Sequence, residues 1–156
     1  MEYLVVSDSH GRVDRVVKYA RGKDFAGIIH AGDYYRDGLY LGEELKIPAY
    51  AVHGNCDGVW DGVFEEVLQL EGVNIFLTHG HFYHVKHDLQ IITQKAREQN
   101  ADLVIFGHSH VPVNTKINGI WLLNPGSPSR PREGTAGSIG VLKITKDGFT
   151  AEIISL

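Results

Sequence analysis

The sequence predicts an α/β fold in a single domain, alternating strands and helices at first and turning to antiparallel hairpins in its last third. Three observations predict it. Five short apolar runs, at residues 4–6, 28–29, 49–52, 73–77 and 103–106, are bounded by Gly or polar turns, which is the pattern of buried strands. Segments with apolar residues at helical spacing lie among them: Val13, Val16, Val17 and Ala20 in one, Val85, Leu89, Ile92 and Ala96 in another. Finally, Asn118-Gly119 and Asp147-Gly148 each separate two β-rich runs and signal two-residue hairpin turns.

In chain order, the first strand ends near Asp8 and a helix follows over residues 12–21. The strand around Ile28 leads into a loop rich in Gly and Tyr, then a short helix over 41–45 that Pro48 stops. A third strand begins at 49. The order strand, helix, strand, helix, strand argues for a parallel or mixed sheet. Over residues 65–77, two apolar runs flank Glu71-Gly72 as a tight hairpin. A helix over 86–99 precedes the strand at 103–106, and residues 113–116 and 120–123 pair across Asn118-Gly119. No repeat, low-complexity segment or linker divides the chain, so residues 1–156 read as one domain.

Bulk properties exclude several classes. A chain of 156 residues with 43% hydrophobic and 22% charged content is long enough to bury a real core. A net charge of −4 leaves no electrostatic footprint for general nucleic-acid binding. One cysteine excludes an internal disulfide framework and is compatible with a reducing cytoplasm. No basic, apolar leader pattern opens the chain, and no apolar run approaches the ~20 residues that cross a bilayer. The expectation is a cytoplasmic protein without membrane contact.

The chemistry lies where the apolar runs end. They are followed by Asp8 and His10, Asp33, Asn55, His79, and His108 and His110. Strands of an α/β sheet present their carboxyl ends to a shared crevice, so these scattered residues are expected to converge there. Asp8-Ser9-His10 reads as two ligands at alternate positions of an extended stretch, pointing the same way. His79-Gly80-His81 and His108-Ser109-His110 repeat that spacing with imidazoles. Two carboxylates, an amide oxygen and at least three imidazoles suit Mn, Fe, Zn, Co or Ni, and Mg less well. Seven ligands are too many for one tetrahedral ion, whereas two divalent ions sharing a carboxylate fit the count.

The ordered series Asp8-x-His10, Gly32-Asp33, Gly54-Asn55, Thr78-His79-Gly80-His81 and Gly107-His108-Ser109-His110 resembles the calcineurin-like metallophosphoesterase superfamily. Asn124-Pro125-Gly126-Ser127, followed by Arg130-Pro131-Arg132, resembles its small prokaryotic phosphodiesterase branch. The resemblance implies a four-layer α/β/β/α sandwich with two mixed β-sheets around two metal ions, manganese first among the candidates. It implies that Asp8, His10, Asp33 and His110 hold the first ion, that Asp33 bridges, and that Asn55, His79 and His108 complete the second. The implied reaction is hydrolysis of a small phosphodiester or nucleotide-like substrate by in-line attack of a metal-bridging hydroxide.

One position departs from the pattern. Many superfamily members follow the Asn with a His that assists the leaving group, and here that position is Cys56. A thiol, with a reference pKa of about 8.5, replaces imidazole poorly as a general acid. Monoesters should suffer more than diesters with good leaving groups, and the small-phosphodiesterase branch commonly carries this Cys. Asn55 and His81 are the candidates for catalytic work beside the ligands, His81 as partial substitute for the missing imidazole.

Blander readings compete at other positions. Cys56 is expected to be a small buried packing residue. His30 and His53 read as orienting neighbours of ligands, and His84 and His87 as a solvated helix start. Tyr34, Tyr35 and Arg36 could stack and pair with a nucleotide or form an exposed loop. Arg130 and Arg132 could hold phosphate or a solvated turn. Trp60 and Trp121 read as core or interface, and the aromatic content makes a homodimer an expectation. Rival functions are a phosphomonoesterase or nucleotidase on the same site, and a non-catalytic protein-binding scaffold resembling a trafficking-complex subunit.

Overall fold

A computed structural model describes residues 1–58 and 62–156. Trp60 lies outside the described residues. The elements in order are β1 (Glu2–Val6), α1 (Asp14–Ala20), β2 (Gly27–His30), α2 (Tyr35–Leu45), β3 (Ala49–Ala51), β4 (Glu65–Leu70), β5 (Val73–Thr78), α3 (Gln90–Glu98), β6 (Leu103–Ile105), β7 (Val113–Ile117), β8 (Ile120–Asn124), β9 (Ser138–Thr145) and β10 (Gly148–Ser155). They form two five-stranded mixed sheets, β10-β9-β1-β2-β3 and β4-β5-β6-β8-β7.

Alternation along the strands produces four layers. Successive side chains of a strand point to opposite faces, so a strand apolar at every position is covered on both. Val5, Ile29, Ile75, Leu77, Ile105 and Leu142 meet between the two sheets. Leu4, Val6 and Ile28 turn outward to Val16 and Val17 of α1 and Leu41 of α2. Phe76, Val104 and Leu122 turn outward to Ile92 and Ala96 of α3. The result is an α/β/β/α sandwich. No helix among the described residues is long and apolar enough to cross a membrane.

The local expectations need four corrections. The Gly- and Tyr-rich loop is the first half of α2, which starts at Tyr35. Its glycines lower helix propensity, but Gly38 is where α2 touches β2: a Cβ there would stand 2.7 Å from the Cβ of His30. The helix expected over 86–99 starts only at Gln90. Residues 81–87 are turns, with His84 at φ 53°, so His84 and His87 do not form a helix start. The last hairpin turns at Lys146-Asp147, since Thr145 already pairs with Gly148. Finally, the last third is not a separate antiparallel block. β7 and β8 extend the second sheet beside β6, while β9 and β10 return to the first sheet beside β1.

Parallel pairing fixes the site's position. β1 runs parallel to β2, and β2 to β3; β5 runs parallel to β6, and β6 to β8. The carboxyl ends of β1 and β2 lead to Asp8 and Asp33, those of β5 and β6 to His79 and His108. Both sheets bring these loops to one edge of the sandwich.

Candidate metal centre

Asp8, His10, Asp33 and His110 converge with one donor atom each, all within 4.8 Å of one another. His110 Nε2 is 3.2 Å from Asp8 Oδ1 and 3.4 Å from His10 Nε2, which is 3.8 Å from Asp33 Oδ2. His79 joins from the second sheet, its Nε2 3.0 Å from Asp8 Oδ1 and 3.6 Å from Asp33 Oδ2. The His108 ring lies 5.0 Å from that of His79. Asn55 sits on the open side, exposed, with its amide nitrogen 3.7 Å from Cys56 Sγ. The His81 ring is behind His79, with their Nδ1 atoms 3.1 Å apart.

The backbone reaches this arrangement differently from the expected extended stretches. Asp8 and His10 have φ of 54° and 49°, His108 and His110 of 68° and 59°, and Asp33 of 53°. After β1, β2 and β6 the chain therefore passes through left-handed residues that swing it sharply into the crevice. Such conformations cost of order 1–3 kcal/mol each and persist only where the surroundings hold them. At Asp8 the holding groups are visible: its N–H donates to Gly32 O at 2.9 Å, and its carbonyl accepts from Ser127 Oγ at 2.7 Å.

The Asn124-Pro125-Gly126-Ser127 turn is a brace. Asn124 Nδ2 donates to Gly107 O and to Ser109 Oγ, both at 3.0 Å, holding the His108–His110 loop. Ser127 Oγ and Ser129 Oγ hold the Asp8–His10 loop through the carbonyls of Asp8 and Ser9. Gly107 must lack a side chain, because a Cβ there would fall 1.9 Å from Ser7 Oγ. Ser7 Oγ in turn donates to Asp8 Oδ2 at 2.7 Å, and the His108 N–H donates to the same oxygen at 3.0 Å.

A second brace runs through His30. Gly32 N–H donates to its Nδ1 at 3.3 Å, so the ring carries its proton on Nε2 and donates to Ser9 Oγ at 3.0 Å. Ser9 Oγ donates to Asp37 Oδ2 at 2.6 Å, and Asp37 also accepts from Gly11 N–H. Complete burial lowers the His30 pKa to about 4, against the pull of nearby Asp37, so the ring stays neutral. Ser9 and Asp37 were missed by sequence reasoning; no spacing rule links positions 9, 30 and 37. His53, expected to orient a ligand, does not. Neither of its ring nitrogens has a hydrogen-bond partner among the described residues, and the ring lies edge-on between Tyr35 and Phe64.

Electrostatics favour a cation. Burial opposes ionisation of Asp8, but hydrogen bonds from His110 and His79 outweigh it and hold its carboxyl well below the usual range. Burial lowers His10 and His81, and it lowers His108 to about 4 with the help of His79 and Lys86. For His110 burial is outweighed by the bond to Asp8, and its pKa is raised.

The donor set fits a divalent metal. His110 Nδ1 donates to the Arg130 carbonyl at 2.6 Å, which leaves the Nε2 lone pair of a neutral ring aimed at a carboxylate oxygen. Two acceptors face each other there, so a proton or a cation must stand between them. A ligating His with its other N–H on a backbone carbonyl is the usual arrangement at metals. Metal bonds of about 2.0–2.2 Å imply donor–donor edges of roughly 3.0–3.5 Å, close to the separations found.

Cys56 is exposed, contrary to the buried packing residue expected. It sits in the turn after Gly54, where its backbone N–H is spent on Asp33 Oδ1 at 2.9 Å and its side chain is left outside. Partial burial and the Asp33 carboxylate push the thiol up to about 11, so it is neutral and unsuited to nucleophilic attack. Tyr34 caps α2, and its ring stands 5.2 Å from that of His10. Trp121 is exposed at the far end of the sandwich, its ring against Phe149, and is no core residue.

Two sheets packed face to face, flanked by helices and joined at one edge by a buried carboxylate–imidazole cluster, define a metal-dependent phosphoesterase architecture. Residues 1–147 match the calcineurin-like phosphoesterase superfamily domain, and the chain belongs to that family. A probable metallophosphoesterase of Mycoplasma genitalium is 34% identical over 154 residues, covering 96% of this chain and 91% of the relative. The phosphodiesterase YfcE of Escherichia coli K12 is 30% identical over 168 residues, covering 91% and 87%. Among solved structures, a predicted phosphoesterase of Streptococcus pneumoniae TIGR4 superposes with a TM-score of 0.80 at 30% identity, over 99% of this chain and 88% of the other. Vps29 of Entamoeba histolytica in complex with zinc shares the fold, with a TM-score of 0.79 at 19% identity over 99% and 98%.

Proposed function

We propose that this metallophosphoesterase is a phosphodiesterase working with two divalent ions, manganese foremost because mixed carboxylate and imidazole donors suit it. Asp8, His10, Asp33 and His110 would hold one ion; Asn55, His79 and His108, with Asp33 between, would hold the other. When bound, such a pair supplies a hydroxide nucleophile at neutral pH and neutralises charge on the phosphoryl oxygens during in-line displacement. The observation that carries the reading is the convergence of donor atoms of Asp8, His10, Asp33 and His110 within 4.8 Å of one another, with His79 joining from the second sheet.

The chain's own groups favour diesters. Cys56 is a neutral thiol beside Asp33, and His81, kept neutral by burial, offers a hydrogen bond but no ready proton. An alcohol that departs from a dianionic monoester needs protonation that neither group supplies, whereas a stable leaving group on a monoanionic diester does not. The similarity to a relative named as a phosphodiesterase agrees. The scaffold reading draws on the Vps29-like fold, but every ligand position here carries a competent side chain.

The test is hydrolysis by manganese-reconstituted protein of bis(p-nitrophenyl) phosphate against glycerol 2-phosphate, a monoester whose alcohol needs a proton to leave. The diester should be preferred, and Asp8→Asn should cost more than about a hundredfold in rate. A monoester preference, or undiminished activity in Asp8→Asn, contradicts the proposal.

A further inference from the structure

Beside the metal centre lies a cleft that the proposed reaction leaves unused. Arg12, Asp14, Arg15, Pro128 and Ser129 line a volume of about 370 Å³. It adjoins the ligand loop through one atom: the carbonyl of Ser9, between Asp8 and His10, accepts from Ser129 Oγ at 2.7 Å and from the Arg12 N–H at 3.1 Å. The cleft wall is thus tied by hydrogen bonds to the loop that carries Asp8 and His10.

The charges in this cleft are uncommitted. Arg21, Lys95 and Lys143 each pair with a carboxylate, but neither Arg12 nor Arg15 does so among the described residues. Space for the Arg15 guanidinium comes from Gly137, where a Cβ would stand 3.1 Å from Arg15 Nη1 and 2.8 Å from the Pro128 carbonyl. On the metal side of the cleft, the charge of Arg130 acts on His10 and that of Arg132 on His110. Asp14 offsets one positive charge at the rim. The two guanidinium groups of the cleft and the two that act on the neighbouring imidazoles outnumber the one carboxylate in its lining.

Guanidinium forks match phosphate oxygens bidentately, and a charged oxygen clamp beside a phosphoryl-transfer site gains most from a ligand that is tethered to the reacting group. We propose that the Arg12–Arg15 cleft is a subsite for a second phosphate, so that preferred substrates are small diesters carrying a further phosphomonoester on the group that is not expelled. This rests on the phosphodiesterase reading and narrows its substrate class.

The comparison is between thymidine 5′-(p-nitrophenyl phosphate) and the same ester bearing a 3′-phosphate, followed by p-nitrophenolate release from the manganese-loaded protein. The 3′-phosphorylated ester should show about tenfold higher kcat/KM, chiefly through KM. Added salt should narrow that ratio in the wild-type protein, because exposed charges are screened. The double substitution Arg12→Gln/Arg15→Gln should bring the ratio close to one. A wild-type ratio near one, or a ratio that the double substitution leaves unchanged, overturns the subsite. Hydrolysis of neither ester overturns the phosphodiesterase reading itself, and the subsite with it.

Discussion

Asp8 shows how a single residue is committed to the site by its whole hydrogen-bonding capacity. Its two carboxylate oxygens face Ser7 Oγ, His108 N–H, His79 Nε2 and His110 Nε2, while its N–H and carbonyl are taken by Gly32 and Ser127. The residue types were legible in the sequence, since Asp, His and Asn after apolar runs are readable as ligands. Their backbone was not: an alternate-residue pattern suggests extension, and only the packing of the two sheets reveals the left-handed turns. Cys56 was read as buried because a lone Cys usually packs, and its exposure follows from a turn geometry that no local pattern encodes. Its role is testable at this scale. Cys56→His should raise the ratio of monoester to diester hydrolysis by about tenfold or more, because an imidazole can protonate the departing alcohol. Rates on glycerol 2-phosphate, whose alcohol needs a proton to depart, and on bis(p-nitrophenyl) phosphate, whose p-nitrophenolate does not, check this, and an unchanged ratio removes Cys56 as the determinant.

The elements matter for where they end. Helix α2 begins at Tyr35, directly after the ligand loop, and its first N–H donates to Asp57 Oδ1 at 2.9 Å. The other oxygen of Asp57 accepts from Gly54 N–H at 2.8 Å, so one side chain ties the start of α2 to the turn carrying Asn55. Asp57→Ala should therefore destabilise the fold by about 1–2 kcal/mol, the usual loss of a helix-capping carboxylate, and should weaken metal binding as well. Urea unfolding and a metal titration on the same variant check both effects; full stability with native affinity would contradict the tie. Strands β1, β2, β5 and β6 were legible because they are apolar along most of their length, and the hairpins at 71–72 and 118–119 because Gly72, Asn118 and Gly119 tolerate positive φ. The start of α2 was not, since Gly38 argues against helix locally and is required only by contact with His30. The segment 81–87 misled in the other direction. Val85 lies at helical spacing and is buried in the outer core, but it reaches there from a turn.

At the scale of the molecule, the active edge exists because two parallel cores point their carboxyl ends the same way. Asp8, His10 and Asp33 come from the first sheet's loops, His79, His108 and His110 from the second's, so the cluster is also a seam between the sheets. Local pattern shows that β9 and β10 form a hairpin but cannot show which sheet receives it. That choice is made by Val141 and Leu142 pairing with Leu4 and Tyr3, well over a hundred residues away in sequence. The family resemblance supplied the two-sheet architecture that local periodicity left open. The central claim is that a pair of ions at this seam drives diester hydrolysis, and its most direct test is a manganese titration of metal-stripped protein. Bound manganese per chain and hydrolysis of bis(p-nitrophenyl) phosphate are followed together. Activity should be absent without metal and reach a plateau at two bound ions per chain. Activity that survives chelation, or a plateau reached at one bound ion per chain, would contradict the account.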